Sequence, residues 1–254
     1  MLNSIPLNIF GITGFIFPFI IFIGVGFTHM FLGFTLSAKK YNISYSEIEK
    51  IHYIMVASIL VGFFFAAISS QIFIKTESVP LTTITVMPGF LAGVLFLILM
   101  IKIYKLNVIK WLNFLVPYWC FAHGWGRIGC FFGGCCHGKP TDSVLGVGFP
   151  PGSIPFIEYG PQNIHPTQLY ESFILFLTGF VLLKCNDYYK FKIFIFLIVY
   201  GTSRFLIEFF RGDIRGEIVN LSYLSPSQFF SIIFITMGLS YLLILRKHKK
   251  NEFN

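Results

Sequence analysis

Residues 192–213 read KIFIFLIVYGTSRFLIEFFRGD, and this stretch decides the fold class. Its apolar part, residues 193–210, approaches the roughly 20 residues that a helix needs to cross the hydrocarbon core of a bilayer. Yet it carries Arg204 and Glu208, and Arg211 follows directly. Spacings of four and three put the three charges on one stripe of a helix while the phenylalanines face elsewhere. An arginine at membrane depth costs about 2.5 to 3.5 kcal/mol or more unless it is paired or hydrated. Two arginines around one carboxylate leave positive charge toward the bundle interior, which asks for an anionic ligand such as a lipid phosphate. A purely structural ion network is the alternative.

Outward from this stretch, six further apolar runs cover residues 9–34, 54–74, 88–104, 111–123, 169–184 and 224–245. The 254 residues are 55% hydrophobic and 12% charged, with a mean hydropathy of +0.75, values outside the usual range of soluble domains. The expectation is one all-α polytopic membrane domain over residues 1–254 with about seven transmembrane helices. The run at 111–123 is short and enters a glycine-rich stretch, so it is expected to be broken or only partly spanning.

The net charge of +8 is spread over alternate loops rather than gathered in a nucleic-acid-binding patch. Lys39, Lys40 and Lys50 follow the first run, Lys102, Lys105 and Lys110 the third, and Lys184, Lys190 and Lys192 the fifth. Arg246, Lys247, Lys249 and Lys250 follow the last. The positive-inside rule then sets these segments in the cytoplasm, with the amino end outside and the carboxyl end inside. No Lys or Arg precedes Lys39, whereas a cleaved signal peptide has a basic start, so the first run reads as a retained helix. The gap at 124–165 falls on the outer side. Its length, glycines, aromatics and cysteines point to a functional segment.

Two more motifs carry chemistry. His123-Gly124-Trp125-Gly126-Arg127-Ile128-Gly129-Cys130 continues into Phe131-Phe132-Gly133-Gly134-Cys135-Cys136-His137-Gly138-Lys139. Glycines at this density suit backbone that closes on an anion, or equally a helix-packing face of small residues. Arg127 supplies a fork-shaped cation suited to phosphate. In His165-Pro166-Thr167-Gln168-Leu169-Tyr170-Glu171, Pro166 fits a helix start, and Thr167 and Glu171 share a face. Glu171, a turn inside the boundary, needs a partner. Cys130, Cys135 and Cys136 crowd one segment with His137. Adjacent Cys135 and Cys136 argue against one tetrahedral metal, so no metal is assigned; an oxidising compartment favours a disulfide instead. Cys120 and Cys185 lie in apolar runs as packing residues.

Taken together, in their order and spacing, the motifs from residue 113 to 245, including Ser225 and Gln228, resemble the bacterial prolipoprotein diacylglyceryl transferases. The resemblance implies a seven-helix protein of the bacterial inner (plasma) membrane with an extracytoplasmic active site. It implies transfer of the diacylglyceryl group of phosphatidylglycerol to the lipobox cysteine of a prolipoprotein, giving a thioether and glycerol 1-phosphate, with no cofactor. By position, Arg127 and Arg204 are the candidate phosphate clamp, with Glu208 orienting Arg204 and Arg211. Gly138, Gln168, Tyr170, Glu171, Arg211 and Gln228 complete the candidate substrate site. Pro88 stands where the family commonly has a His or Tyr base, and Cys130 where it usually has Asn, so His123 or His165 is the candidate base. A relative moving another lipid group, and a membrane thiol-redox protein built on the cysteines, stay open.

Overall fold

A computed structural model describes residues 16–73, 81–185, 191–213 and 224–251. The expected start of the first run at residue 9, and Lys190, lie outside them. The helices are α1 (Ile16–Lys40), α2 (Tyr45–Phe73), α3 (Leu81–Ile103), α4 (Val108–Phe132), the short α5 (Ile154–Tyr159), α6 (Thr167–Lys184), α7 (Lys192–Ile207) and α8 (Pro226–Asn251). Apart from α5, each overlaps one of the apolar runs. Two short strands, β1 (Val147–Gly148) and β2 (Asn163–Ile164), pair antiparallel with Val147 opposite Ile164.

Four of the helices are long and apolar enough to cross a membrane, within Pro18–Lys40, Tyr45–Ile68, Lys192–Phe210 and Pro226–Leu243. Their outward faces suit lipid: Leu32, Leu36, Phe63, Phe64 and Leu243 are all exposed, the kind of apolar surface that marks membrane contact. α4 and α6 are less apolar because His123, Arg127, Gln168 and Glu171 lie on them.

With lipid tails as apolar as leucine, helices associate through close packing and interhelical hydrogen bonds. α2 and α3 show the first device. A Cβ on Gly89 would stand 2.5 Å from the Gly62 carbonyl oxygen and 2.7 Å from Ala66 Cβ, so only glycine permits this approach. Around α4, Phe34, Ile51, Ile101, Trp111 and Phe114 form a buried cluster. Asn113, fully buried, shows the second device: its amide donates to the Ile109 carbonyl (2.7 Å) and its oxygen accepts from Ile193 N–H (2.8 Å), fixing the start of α7 against α4.

Two expectations change. α4 runs unbroken through the glycine-rich stretch to Phe132, since glycine within an apolar, well-packed helix costs only about 1 kcal/mol each. α7 ends at Ile207 and tightens into a 3₁₀ turn at Glu208–Phe210, after which Arg211 is extended (φ −71, ψ 139). Arg204 and Glu208 therefore share a stripe, but Arg211 leaves it.

Candidate functional site

The site gathers where α4 ends, α6 begins, α7 ends and α8 begins. One turn apart on α4, His123 and Arg127 face Glu171 on α6. The Arg127 Nη2 lies 3.0 Å from Glu171 Oε1, and His123 Nε2 lies 3.7 Å from the same oxygen. From α7, the Tyr200 hydroxyl donates to it at 3.0 Å. Glu171 is 1% exposed, and these groups are the partners that its burial demands. One turn beyond Tyr200, Arg204 pairs with Glu208 at 2.8 Å and donates from Nη2 to the Ser227 hydroxyl of α8, also at 2.8 Å.

Beyond the helix ends, three extended segments cross. Gly138 N–H donates to the His165 carbonyl, Lys139 N–H to that of Phe210 and Gly212 N–H to that of His137. A Cβ on Gly138 would meet the His165 oxygen at 2.5 Å and the Phe210 oxygen at 2.8 Å; the crossing requires glycine. Arg211 donates to both oxygens of Asp213, at 2.7 and 2.6 Å, in a fork. Burial nonetheless lifts the Asp213 carboxyl above the usual carboxylate range, against the pull of Arg211. α5 covers this crossing. Its Tyr159 hydroxyl donates to the Gly212 carbonyl (3.1 Å), and Glu158 meets buried His137 at 3.2 Å. Burial, with Glu158 alongside, raises the Tyr159 hydroxyl above its ordinary value.

Several sequence assignments acquire definite surroundings. Thr167 and Gln168 donate to the Cys136 and Cys135 carbonyls, at 2.8 and 2.7 Å, and so hold the cysteine turn against α6. His165 Nδ1 lies 3.1 Å from the Tyr170 hydroxyl. Gln228 forms a capping box with Ser225: its Oε1 accepts from Ser225 N–H, and Ser225 Oγ accepts from Gln228 N–H, the reciprocal pattern that starts a helix. Gly124 and Gly129 serve packing, since a Cβ there would press on the Phe176 ring (2.8 Å) or the Phe19 backbone (3.2 Å). Their N–H groups sit within a continuous helix, so they form no anion cradle.

The expected surplus of positive charge is not present in the cluster. Each arginine has a carboxylate: Arg127 with Glu171, Arg204 with Glu208, Arg211 with Asp213. What the cluster leaves unpaired is buried hydrogen-bonding capacity, donors and acceptors alike, Gln168 Oε1 among the acceptors. Among the described residues, Arg127 Nε, Arg204 Nη1 and Arg211 Nη1 are buried without a hydrogen-bond partner, as are the acceptor Glu171 Oε2 and His123 Nδ1. Each such group forgoes about 1 to 3 kcal/mol. The three arginine side chains are only 17%, 4% and 2% exposed, so they face the protein interior. Glu208 orients Arg204 but makes no side-chain bond to Arg211 among the described residues.

Three contributors escaped the sequence reading: Tyr200, Ser227 and Glu158. Tyr200 was within reach, because it lies one turn before Arg204 on the same face. Ser227 and Glu158 carried no such signal. Adjacent as they are in the chain, Cys135 and Cys136 turn their sulfurs to the same place, where those of Cys130, Cys135 and Cys136 lie within 4.8 Å of one another. Between α6 and α7 runs an apolar groove of about 430 Å³ lined by Tyr170, Ile174, Ile198, Leu206 and Phe210.

Comparison with known proteins points one way. The family model for prolipoprotein diacylglyceryl transferase matches residues 8–244. A phosphatidylglycerol–prolipoprotein diacylglyceryl transferase of Clostridium tetani is 42% identical over 153 residues, 57% of this chain and 57% of that protein. The second such enzyme of Clostridium perfringens is 36% identical over 140 residues, covering 53% of this chain and 52% of its own length. One from Chlorobaculum tepidum is 29% identical over 168 residues, 64% of this chain and 56% of that protein. The chain thus spans little more than half the length of the curated relatives it matches.

Proposed function

This chain belongs to the prolipoprotein diacylglyceryl transferase family, and on that premise we propose that it transfers the diacylglyceryl group of phosphatidylglycerol to the lipobox cysteine thiol of prolipoproteins. The products are a thioether and glycerol 1-phosphate. The observation that carries this reading is the buried Arg127–Glu171–Tyr200 and Arg204–Glu208–Ser227 network, in which guanidinium donors remain without acceptors. A phosphodiester supplies acceptor oxygens in the number and geometry that such donors need. Arg127 and Arg204 then hold the phosphate, with Glu171 and Glu208 keeping their guanidinium groups in place. Arg211 and Tyr170 stand at the edge of the same site, and the apolar groove between α6 and α7 suits acyl chains.

The chemistry follows from where charge appears. The thiolate, not the thiol, attacks carbon, and a free thiol with a pKa of about 8.5 is mostly protonated at neutral pH. A positioned base adds roughly 10² to 10⁴ in rate. Of the two candidates, His123 stands one turn from Arg127 and beside Glu171 within the buried network, whereas His165 lies outside it against the Tyr170 hydroxyl; His123 is therefore the base in this reading. As the carbon–oxygen bond breaks, the electron pair goes to the phosphate oxygen, and arginines fixed in a dry site stabilise that growing charge.

The same reading sets seven helices across the bacterial inner (plasma) membrane, amino end outside. The site then faces the extracytoplasmic side, at the helix ends opposite the lysine-bearing connections after α1, α3 and α6. The test combines purified protein, phosphatidylglycerol and a lipobox peptide, with peptide mass as readout. A diacylglyceryl gain that disappears in Arg127→Ala is expected. No gain, or full activity in Arg127→Ala, overturns it.

A further inference from the structure

Three thiols stand beside the arginine network with no part in it. Cys130 lies one turn beyond Arg127 on α4. After the helix the chain turns back at Gly134 (φ +68) and then at Cys136, whose φ of 61 is a left-handed conformation that few side chains adopt. This second turn brings the Cys136 sulfur to the same side as that of Cys135. All three sulfurs converge within 4.8 Å, and the Cys135 thiol donates to the Cys130 carbonyl at 3.7 Å. Thr167 and Gln168 pin the carbonyls of Cys136 and Cys135 from α6, so two helices fix the shape of the turn.

Sulfurs bound to one zinc ion at about 2.3 Å lie roughly 3.8 to 4 Å apart. The three sulfurs, all within 4.8 Å of one another, need little movement to reach that spacing. A disulfide uses two sulfurs and gives no reason for the third to converge. No fourth protein ligand completes the set among the described residues, because the neighbouring His137 is turned away, its Nε2 toward Glu158 and its Nδ1 toward the Gly138 carbonyl. Three ligands with an open fourth position are the pattern of catalytic rather than structural zinc, and the cysteines are only partly buried.

We propose that Cys130, Cys135 and Cys136 hold a thiophilic d¹⁰ divalent ion, zinc being the ordinary one, whose open position takes the acceptor thiol of the substrate. Metal binding rests on the geometry alone; the identity of the fourth ligand rests on the transferase reading. A coordinated thiol is deprotonated, here with its proton passing through water to His123. The bound sulfur then attacks the glyceryl carbon, the carbon–oxygen bond breaks with its electron pair going to phosphate, and the neutral thioether leaves the metal. Arg127, one turn before Cys130 on α4, places the phosphate beside that sulfur.

The test uses the full chain in detergent, prepared with reductant and without chelator. About one zinc per chain is expected, and Cd(II) added to the zinc-depleted protein should give a thiolate charge-transfer band that saturates at one equivalent. Cys130→Ser, Cys135→Ser and Cys136→Ser should each weaken Cd(II) binding at least tenfold, while Cys185→Ser leaves it unchanged. A lipobox peptide should then shift the band and add a fourth sulfur in X-ray absorption, and its Cys→Ser counterpart should not. No band, a band that survives the triple serine variant, or a fully reduced preparation that re-forms a disulfide in place of binding metal overturns the site. Metal binding with no response to the thiol peptide overturns the role in acceptor activation. Absence of transfer with intact metal and peptide binding counts against the transferase reading alone.

Discussion

The two halves of α4 are built on opposite principles. Its first half, Trp111 to Tyr118, is packed against Phe34, Ile51, Ile54 and Ile101 in a cluster whose members are nearly all inaccessible. Its second half carries His123, Arg127 and Cys130, and there the buried atoms include donors and acceptors left without partners. A helix surrounded by close contacts gains from each of them, whereas unpaired polar groups in a low-dielectric interior cost free energy. The first half thus provides the rigidity that lets the second half hold unpaired polar groups in a costly state. The close packing and the unpaired polar groups occupy the same helix, little more than one turn apart.

This contrast can be broken from either side. The largest effect belongs to the packed half: Trp111→Ala should cost roughly 3 to 5 kcal/mol, read as a drop in thermal stability of the detergent-solubilised protein, with turnover of the folded fraction unchanged. Next, Arg127→Ala should reduce transfer to the lipobox peptide about 10²- to 10³-fold, the range for losing a donor to a developing charge, while the thermal midpoint falls less than in Trp111→Ala, because Tyr200 and His123 still face Glu171. Glu171→Gln should follow it in kind, because the carboxylate positions Arg127. If Arg127→Ala instead melts the protein, the network is structural and the division of α4 is wrong. Gly138→Ala should cost about 1 to 3 kcal/mol through overpacking at the segment crossing, and unlike Trp111→Ala it should also lower activity, since Arg211 and His165 move with it. The smallest change is Gln228→Ala, which removes half a capping box and should cost about 1 kcal/mol with activity intact; a large rise in KM would instead make Gln228 a substrate contact.

Much of this was legible in the primary chain, and for a reason. Arg127, Glu171 and Arg204 are conspicuous because charge within an apolar run is costly, so composition alone flags them. The helix start at Pro166 was equally readable, as helix initiation is a local matter. What failed depended on neighbours distant in sequence. The reading of Arg204, Glu208 and Arg211 as one stripe assumed a helix that in fact tightens at Glu208. The inferred excess of positive charge around Glu208 overlooked that Arg211 would find Asp213 two residues on. Gly124 and Gly129 of α4 looked like part of an anion cradle, but Phe176 and Phe19 fill the space above them.

Hydropathy, charge placement and motif order therefore determined that the chain is a membrane helical protein with arginines and a carboxylate set into its apolar helices, because the penalty for burying charge acts on each residue separately. Only tertiary structure decided which cation meets which carboxylate, which glycines pack, and that three thiols converge. Those outcomes depend on distances between segments far apart in the chain, which no local spacing fixes.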